Sequence, residues 1–108
     1  MNQGTRRLYQ AKAEMVQAAG HPIRLAILDF LKDGEQCVCD IAEHVGAERS
    51  NVSRHLAVML KAGLLDQRKD GLRMMYSVRC RCILNFLSCV EEALKERLAE
   101  TRSLLSRL

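Results

Sequence analysis

Five cysteines stand in this chain of 108 residues, four of them in two Cys-x-Cys pairs: Cys37-Val38-Cys39 and Cys80-Arg81-Cys82, with Cys89 seven positions after Cys82. Thiolates are soft donors, and they select arsenite, cadmium, lead, copper(I) or mercury over magnesium or calcium. An odd number of cysteines argues against a framework of structural disulfides. The stretch from Met1 to Arg7 is polar and lacks the apolar run of a secretory leader, which leaves the cytoplasm as the expected compartment. On a regular helix, residues i and i+2 point roughly 200° apart. One ion can therefore draw Cys37 and Cys39 together only by distorting the turn that carries them. At the start of a helix such distortion is cheap, and it would move whatever packs against that helix. Reversible oxidation of the same pairs to a disulfide or persulfide is the competing chemistry.

A second set of residues suits a polyanion. Between Val45 and Arg81 lie eight Lys or Arg and three acids, a surplus of five positive charges in a chain whose net charge is +4. The remainder of the chain is therefore slightly acidic. On the outer face of a helix running from near Ser50 to Ala62 fall Ser50, Ser53, Arg54 and Ala57, with Asn51 and His55 beside them and Arg49 at its head. Short hydroxyls and small side chains permit close approach to a groove. Arginine can pair with guanine in two places or hold a phosphate, and asparagine can pair with adenine. Arg68, Lys69 and Arg73 cluster about an Asp70-Gly71 turn and fit an adjacent minor groove or backbone.

The elements that must carry these residues can be read from periodicity. A breaker-free segment, about residues 6–19, ends at Gly20; His21-Pro22 opens a second helix with Ile23, Ile27, Phe30 and Leu31 inward. Val38, Ile41, Ala42 and Val45 mark a short helix stopped by Gly46, and Val52, Leu56, Met59 and Leu60 mark the buried side of the next. Two such helices joined by a tight turn make a helix-turn-helix over about residues 38–62. The period then drops to two. Leu72, Met74, Tyr76 and Val78 are expected inward, and Asp70-Gly71 turns a two-stranded wing over about residues 64–78. Helical spacing returns over about residues 82–106.

The expected fold is therefore mainly α with a small β-hairpin (α+β): one winged helix-turn-helix domain over residues 1–108, about five helices and a two-stranded wing. Double-stranded operator DNA is the expected partner. One such module binds weakly, and useful specificity comes from a two-fold dimer on a palindrome. The first and last helices carry more apolar positions than a small three-helix core can cover, which makes them the expected seam of a homodimer. No membrane span and no other protein partner are evident. No enzyme is expected, since His21, His44 and His55 have no clear Cys or Asp partner in a nucleophile–base arrangement.

Glu35-Gln36-Cys37-Val38-Cys39-Asp40-Ile41, Ser53-Arg54-His55-Leu56, Lys61-Ala62-Gly63-Leu64-Leu65 and the Asp70-Gly71 turn with Tyr76-Ser77 resemble the ArsR/SmtB family of metal- and metalloid-responsive repressors. The resemblance spans roughly residues 8 to 98. It implies a homodimer that represses a resistance or efflux operon and leaves its operator when a soft ion binds. It makes Cys37 and Cys39 the favoured ligands, arsenite or antimonite the favoured ion, then cadmium or lead, with zinc or copper(I) further options. The chain departs from the arsenite-sensing pattern at Ala42, where a third cysteine is expected. His44, solvent, or one of Cys80, Cys82 and Cys89, from either subunit, is left to complete the site. Cys80-Arg81-Cys82 stands where zinc-sensing relatives place an Asp-x-His pair, so a second all-sulfur site is also implied. A thiol-redox repressor of the same fold, an RNA-binding or structural winged helix, and a small metal-binding thiol protein remain the alternatives.

Overall fold

The computed structural model describes residues 1–108. Five helices and three short strands follow one another as α1 (Gln3–Ala19), α2 (Pro22–Leu31), β1 (Gln36–Cys37), α3 (Val38–Val45), α4 (Arg49–Lys61), β2 (Leu65–Asp70), β3 (Arg73–Val78) and α5 (Cys82–Ser106). The fold is a winged helix-turn-helix. Its core lies where α2, α3 and α4 meet the base of the hairpin, around Ile27, Leu28, Ile41, Leu56, Met59 and Leu64, all fully buried. No helix is long and apolar enough to cross a membrane.

Local chemistry sets the boundaries. α1 starts earlier than periodicity indicates because the Asn2 side chain accepts from the Thr5 amide at 2.8 Å and caps the helix. His21 does the same for α2, its Nδ1 accepting from the Ile23 amide at 3.1 Å ahead of Pro22. Between α3 and α4 the chain turns at Gly46, whose φ of +68° an L side chain adopts only with strain.

The sheet differs from expectation in two respects. It has three antiparallel strands in the order β1-β3-β2, with Gln36 opposite Tyr76 and Cys37 opposite Met75. Two residues are too few to leave a period-two signal, so β1 is invisible in the sequence. Across the hairpin, Leu65 faces Val78 and Asp70 faces Arg73, which makes Gly71 and Leu72 the two turn residues. Gly71 takes the positive φ (+63°) as the first of them. Leu72, expected on the inward face, is consequently wholly exposed.

Only 15 of the 108 residues are buried, and α1 and α5 contribute just Ala18, Ala19 and Ile83. The radius of gyration is 17.2 Å, against about 13 Å for a compact globule of this length. The excess comes from α1 and α5, which leave the core with apolar side chains in solvent.

Candidate functional site

α4 presents its polar face by burying the opposite one. Val52, Leu56 and Met59 anchor the helix in the core, so Arg49, Ser50, Ser53, Arg54 and Ala57 are exposed on the other side, with Asn51 half-buried at the edge. His55 stands differently from its neighbours. Its ring lies 4.4 Å from that of His21, and its Nδ1 accepts from Arg24 Nε at 3.1 Å. Arg24 in turn donates to the Ala18 carbonyl at 3.3 Å, tying α1, α2 and α4 together beside the exposed face. Arg24 is a positioning residue that sequence reasoning misses. It lies 31 positions from His55, and no local pattern links them.

Burial, and then the nearby His21, Arg24 and Arg54, hold His55 below the ordinary imidazole value of 6.5. An unfolded chain would therefore take up this proton at a higher pH than the folded one. The stability that follows from keeping His55 neutral is complete above that ordinary value and is lost as pH falls below it. A urea midpoint that drops between about pH 7 and about pH 5.5 is expected. His55→Gln keeps an acceptor for Arg24 and should flatten that dependence; an unchanged slope would place the titration elsewhere.

The three wing cations have different surroundings. Arg68 donates through Nε to Glu35 Oε2 at 2.8 Å and through Nη2 to Glu35 Oε1, and lies 3.9 Å from Asp70. The paired guanidinium holds the Glu35 carboxyl below the usual carboxylate range. Arg73 sends Nη2 to within 3.6 Å of the Cys37 sulfur. Lys69 is exposed on β2 and makes no ion pair.

The cysteines separate by depth. Cys37 is 3% exposed, closes β1 and immediately precedes α3 without capping it through its side chain, whereas Cys39 lies outside on the first turn of α3. Cys37 thus belongs to a strand end and not to the helix. The pair straddles a strand–helix boundary, with one sulfur inward and one outward. His44, a possible further donor, has its ring stacked on Phe30 at 4.1 Å. Cys89 is exposed on α5. Within the protomer no three His, Cys, Asp or Glu side chains converge on one point.

Cys80 and Cys82 do come together, their sulfurs 3.3 Å apart, Cys80 half-buried and Cys82 exposed. The hydrogen bond from one thiol to the other pushes the Cys82 thiol up. This pair sits at the junction of β3 and α5. The amides of Arg79 and Cys80 both donate to the Leu64 carbonyl, at 2.9 and 3.3 Å, and the Leu64 amide donates to the Met59 carbonyl in α4 at 2.9 Å. The Arg81 guanidinium donates to the Lys32 carbonyl at 3.0 Å and fastens the same junction to the end of α2.

Comparison with known proteins places this architecture. The family model described as "Bacterial regulatory protein, arsR family" matches residues 21–67, from the His21 cap through the first part of the hairpin. An uncharacterised HTH-type transcriptional regulator of Mycobacterium tuberculosis strain H37Rv is 33% identical over 102 residues, covering 94% of this chain and 90% of that protein. An arsenical resistance operon repressor of Staphylococcus xylosus is 33% identical over 70 residues, 65% of this chain and 67% of that one. The solution structure of a homodimeric winged helix-turn-helix DNA-binding domain from Mycobacterium bovis, described as a possible ArsR-family regulator, superimposes with a TM-score of 0.81 at 26% identity. That match covers 93% of each chain. With its helix-turn-helix, its wing and these relatives, the chain belongs to the ArsR family of bacterial transcriptional regulators.

Proposed function

We propose that this protein is a repressor that binds double-stranded operator DNA as a homodimer and leaves it when a thiophilic metalloid or metal ion binds its cysteines. The observation that carries the reading is the polar face of α4: Ser50, Ser53, Arg54 and Ala57 lie exposed on a helix whose other side is locked into the core. Presented to a major groove, Arg54 and Asn51 supply base contacts, and Ser50 and Ser53 supply short contacts to phosphates. Arg49 at the head of the helix and Lys69 on the wing supply further phosphate contacts. Arg68 and Arg73 join them where DNA competes with Glu35 and Cys37 for their guanidinium groups. His55 holds α4 in place through Arg24.

The seam of the dimer is assigned to α1 and α5. Support comes from Leu8, Tyr9 and Val16 on the first and from Phe86, Val90, Leu94 and Leu98 on the second, all between 40% and 62% exposed. The homodimeric state of the Mycobacterium bovis domain points the same way.

For the effector, the arsenical resistance role named for the Staphylococcus xylosus relative supports arsenite or antimonite ahead of cadmium or lead. Cys37 and Cys39 head the helix that packs against α4. Drawing their sulfurs toward one ion must turn Cys37 out of its buried position and away from Arg73. Both the start of α3 and the wing are then disturbed. In a single protomer this pair lacks a third donor, so a three-sulfur site would need a cysteine from the partner subunit.

The test is a gel-shift titration on duplexes that the protein itself selects from a random pool. Arsenite should weaken the complex by about 5- to 150-fold, the range of ordinary allosteric coupling. A variant with both Cys37→Ser and Cys39→Ser should bind the same duplex equally well and ignore arsenite. Normal release by that variant overturns the Cys37–Cys39 switch, and failure of the native protein to select any duplex overturns the DNA reading.

A further inference from the structure

We infer that His21, Arg24 and His55 form a latch on α4, closed while both imidazoles are neutral and opened by a proton, so that acid releases DNA. The inference rests on the reading of α4 as the helix that meets DNA, and it adds an input unrelated to the cysteines. Both rings are fixed through the same atom. The His21 Nδ1 accepts from the Ile23 amide at 3.1 Å, and the His55 Nδ1 accepts from Arg24 Nε at 3.1 Å. An imidazole nitrogen that accepts a hydrogen bond carries no proton, so each neutral ring keeps its proton on Nε2. A further proton can enter only at Nδ1. There it displaces the bond that starts α2 or the bond that ties α4 to Arg24.

The surroundings offer a proton on His55 nothing in return. The rings of His21 and His55 lie 4.4 Å apart, tilted by 43°. The groups whose charge acts on His55 are His21 and Arg24 from α2 and Arg54 from α4 itself, with no carboxylate among them. α1 contributes the carbonyls of Gln17 and Ala18, which accept from Arg24 Nη1 at 3.5 and 3.3 Å, and Glu14, which shares a groove with Arg24 and Lys61. Arg24 is therefore held by α1 whether or not His55 accepts from it. A charged His55 would face a guanidinium that cannot withdraw without giving up α1, and the repulsion is relieved by moving α4. The same charge would attract phosphate, but Arg49 and Arg54 already supply that attraction from exposed positions. The bond from Arg24 to α4 has no substitute.

The direction of the response follows from linkage. Burial and these neighbours hold His55 below the ordinary imidazole value of 6.5, so the latch is closed at neutral pH and opens as pH falls below that value. DNA that binds the closed form must resist the proton. Acid then lowers operator affinity, and operator binding lowers the proton affinity of His55 by the same factor. The expected loss is about 10-fold per subunit, the size of one hydrogen bond lost and its partner left unpaired.

Two measurements on the full chain test the latch, one without DNA and one with it. Nitrogen NMR of the free protein should show both rings in the Nε2–H form at about pH 7.5, and the Arg24 Nε–H signal should shift as His55 takes its proton at lower pH. Affinity for a duplex that the protein itself selects, read by fluorescence anisotropy at fixed salt, should fall by about 10-fold per subunit between about pH 7.5 and about pH 5.5. His55→Gln keeps an acceptor for Arg24 but cannot titrate, and should not show that fall. His21→Asn keeps a cap for α2 and strips His55 of its ring neighbour, so the fall should begin at higher pH. Parallel profiles for the native protein and His55→Gln, a native affinity that rises in acid relative to that variant, or a fall that His21→Asn leaves in place would each overturn the latch. So would an Arg24 Nε–H signal undisturbed by the His55 titration. Failure to select any duplex overturns the DNA reading alone, because the NMR titration still decides whether the latch opens. That titration uses the native chain, so a variant that folds poorly does not obscure the answer.

Discussion

Replacing Arg54 by alanine is expected to weaken operator binding by about 30-fold to 10⁴-fold while leaving the folded protein as stable as before. Arg54 is exposed on α4 and makes no hydrogen bond or ion pair within the protomer, so its removal costs the fold nothing. A bidentate contact to a base pair contributes about 1–3 kcal/mol, and a two-fold dimer makes it twice, which multiplies the fold-changes. Arg54→Lys should recover only part of the loss, because a lysine supplies the charge without the planar fork. Lys69→Ala gives the contrast. A wing lysine that touches phosphate should weaken all duplexes alike and lower the salt dependence by about one phosphate per subunit. Filter binding on selected and scrambled duplexes at several salt concentrations separates the two. If Arg54→Ala retains both its affinity and its preference for the selected duplex, the exposed face of α4 is not what reads DNA.

The orientation of Arg54 is legible in the amino-acid sequence itself, whereas much of what surrounds it is not. The buried stripe Val52, Leu56 and Met59 fixes which way α4 faces, and a helical stripe can be counted directly along a sequence. Gly46 and Gly71 announce turns because few other residues adopt their φ. What sequence spacing cannot express is contact between distant positions. Arg24 meets His55 across 31 residues, Glu35 meets Arg68 across 33 and Arg73 meets Cys37 across 36. These contacts decide which cations are engaged within the protomer and which are free.

The cysteines carry the same lesson at short range. The helical rule that turns residues i and i+2 apart assumes that both lie within a helix, and neither pair obeys that condition. Cys37 ends a strand, which buries it and leaves Cys39 outside. Cys80 precedes α5 while Cys82 begins it, and the intervening turn brings their sulfurs together. Sequence reasoning favours the first pair as ion ligands, and in the protomer it is the second pair whose sulfurs touch. The reason lies in backbone conformation at two element boundaries, where periodicity carries least information.

Two aspartates on α5 should do to the assembly what alanine at Arg54 does to recognition. Phe86, Val90, Leu94 and Leu98 recur every four residues and form one exposed apolar stripe, between 40% and 62% accessible, along a helix that buries only Ile83. Left in water, a stripe of that kind favours self-association. In the proposed homodimer a second copy covers it by a two-fold contact in which the same side chains meet their own symmetry mates. Val90→Asp with Leu94→Asp would place four carboxylates in that seam without touching the core. Sedimentation should then give the 12.2 kDa chain mass in place of twice that value. Operator affinity should fall by about 10²- to 10⁴-fold, the advantage lost when two linked half-site contacts become independent. A variant that sediments as a dimer would remove α5 from the seam, and a monomer that binds the full palindrome undiminished would remove the dimer from recognition.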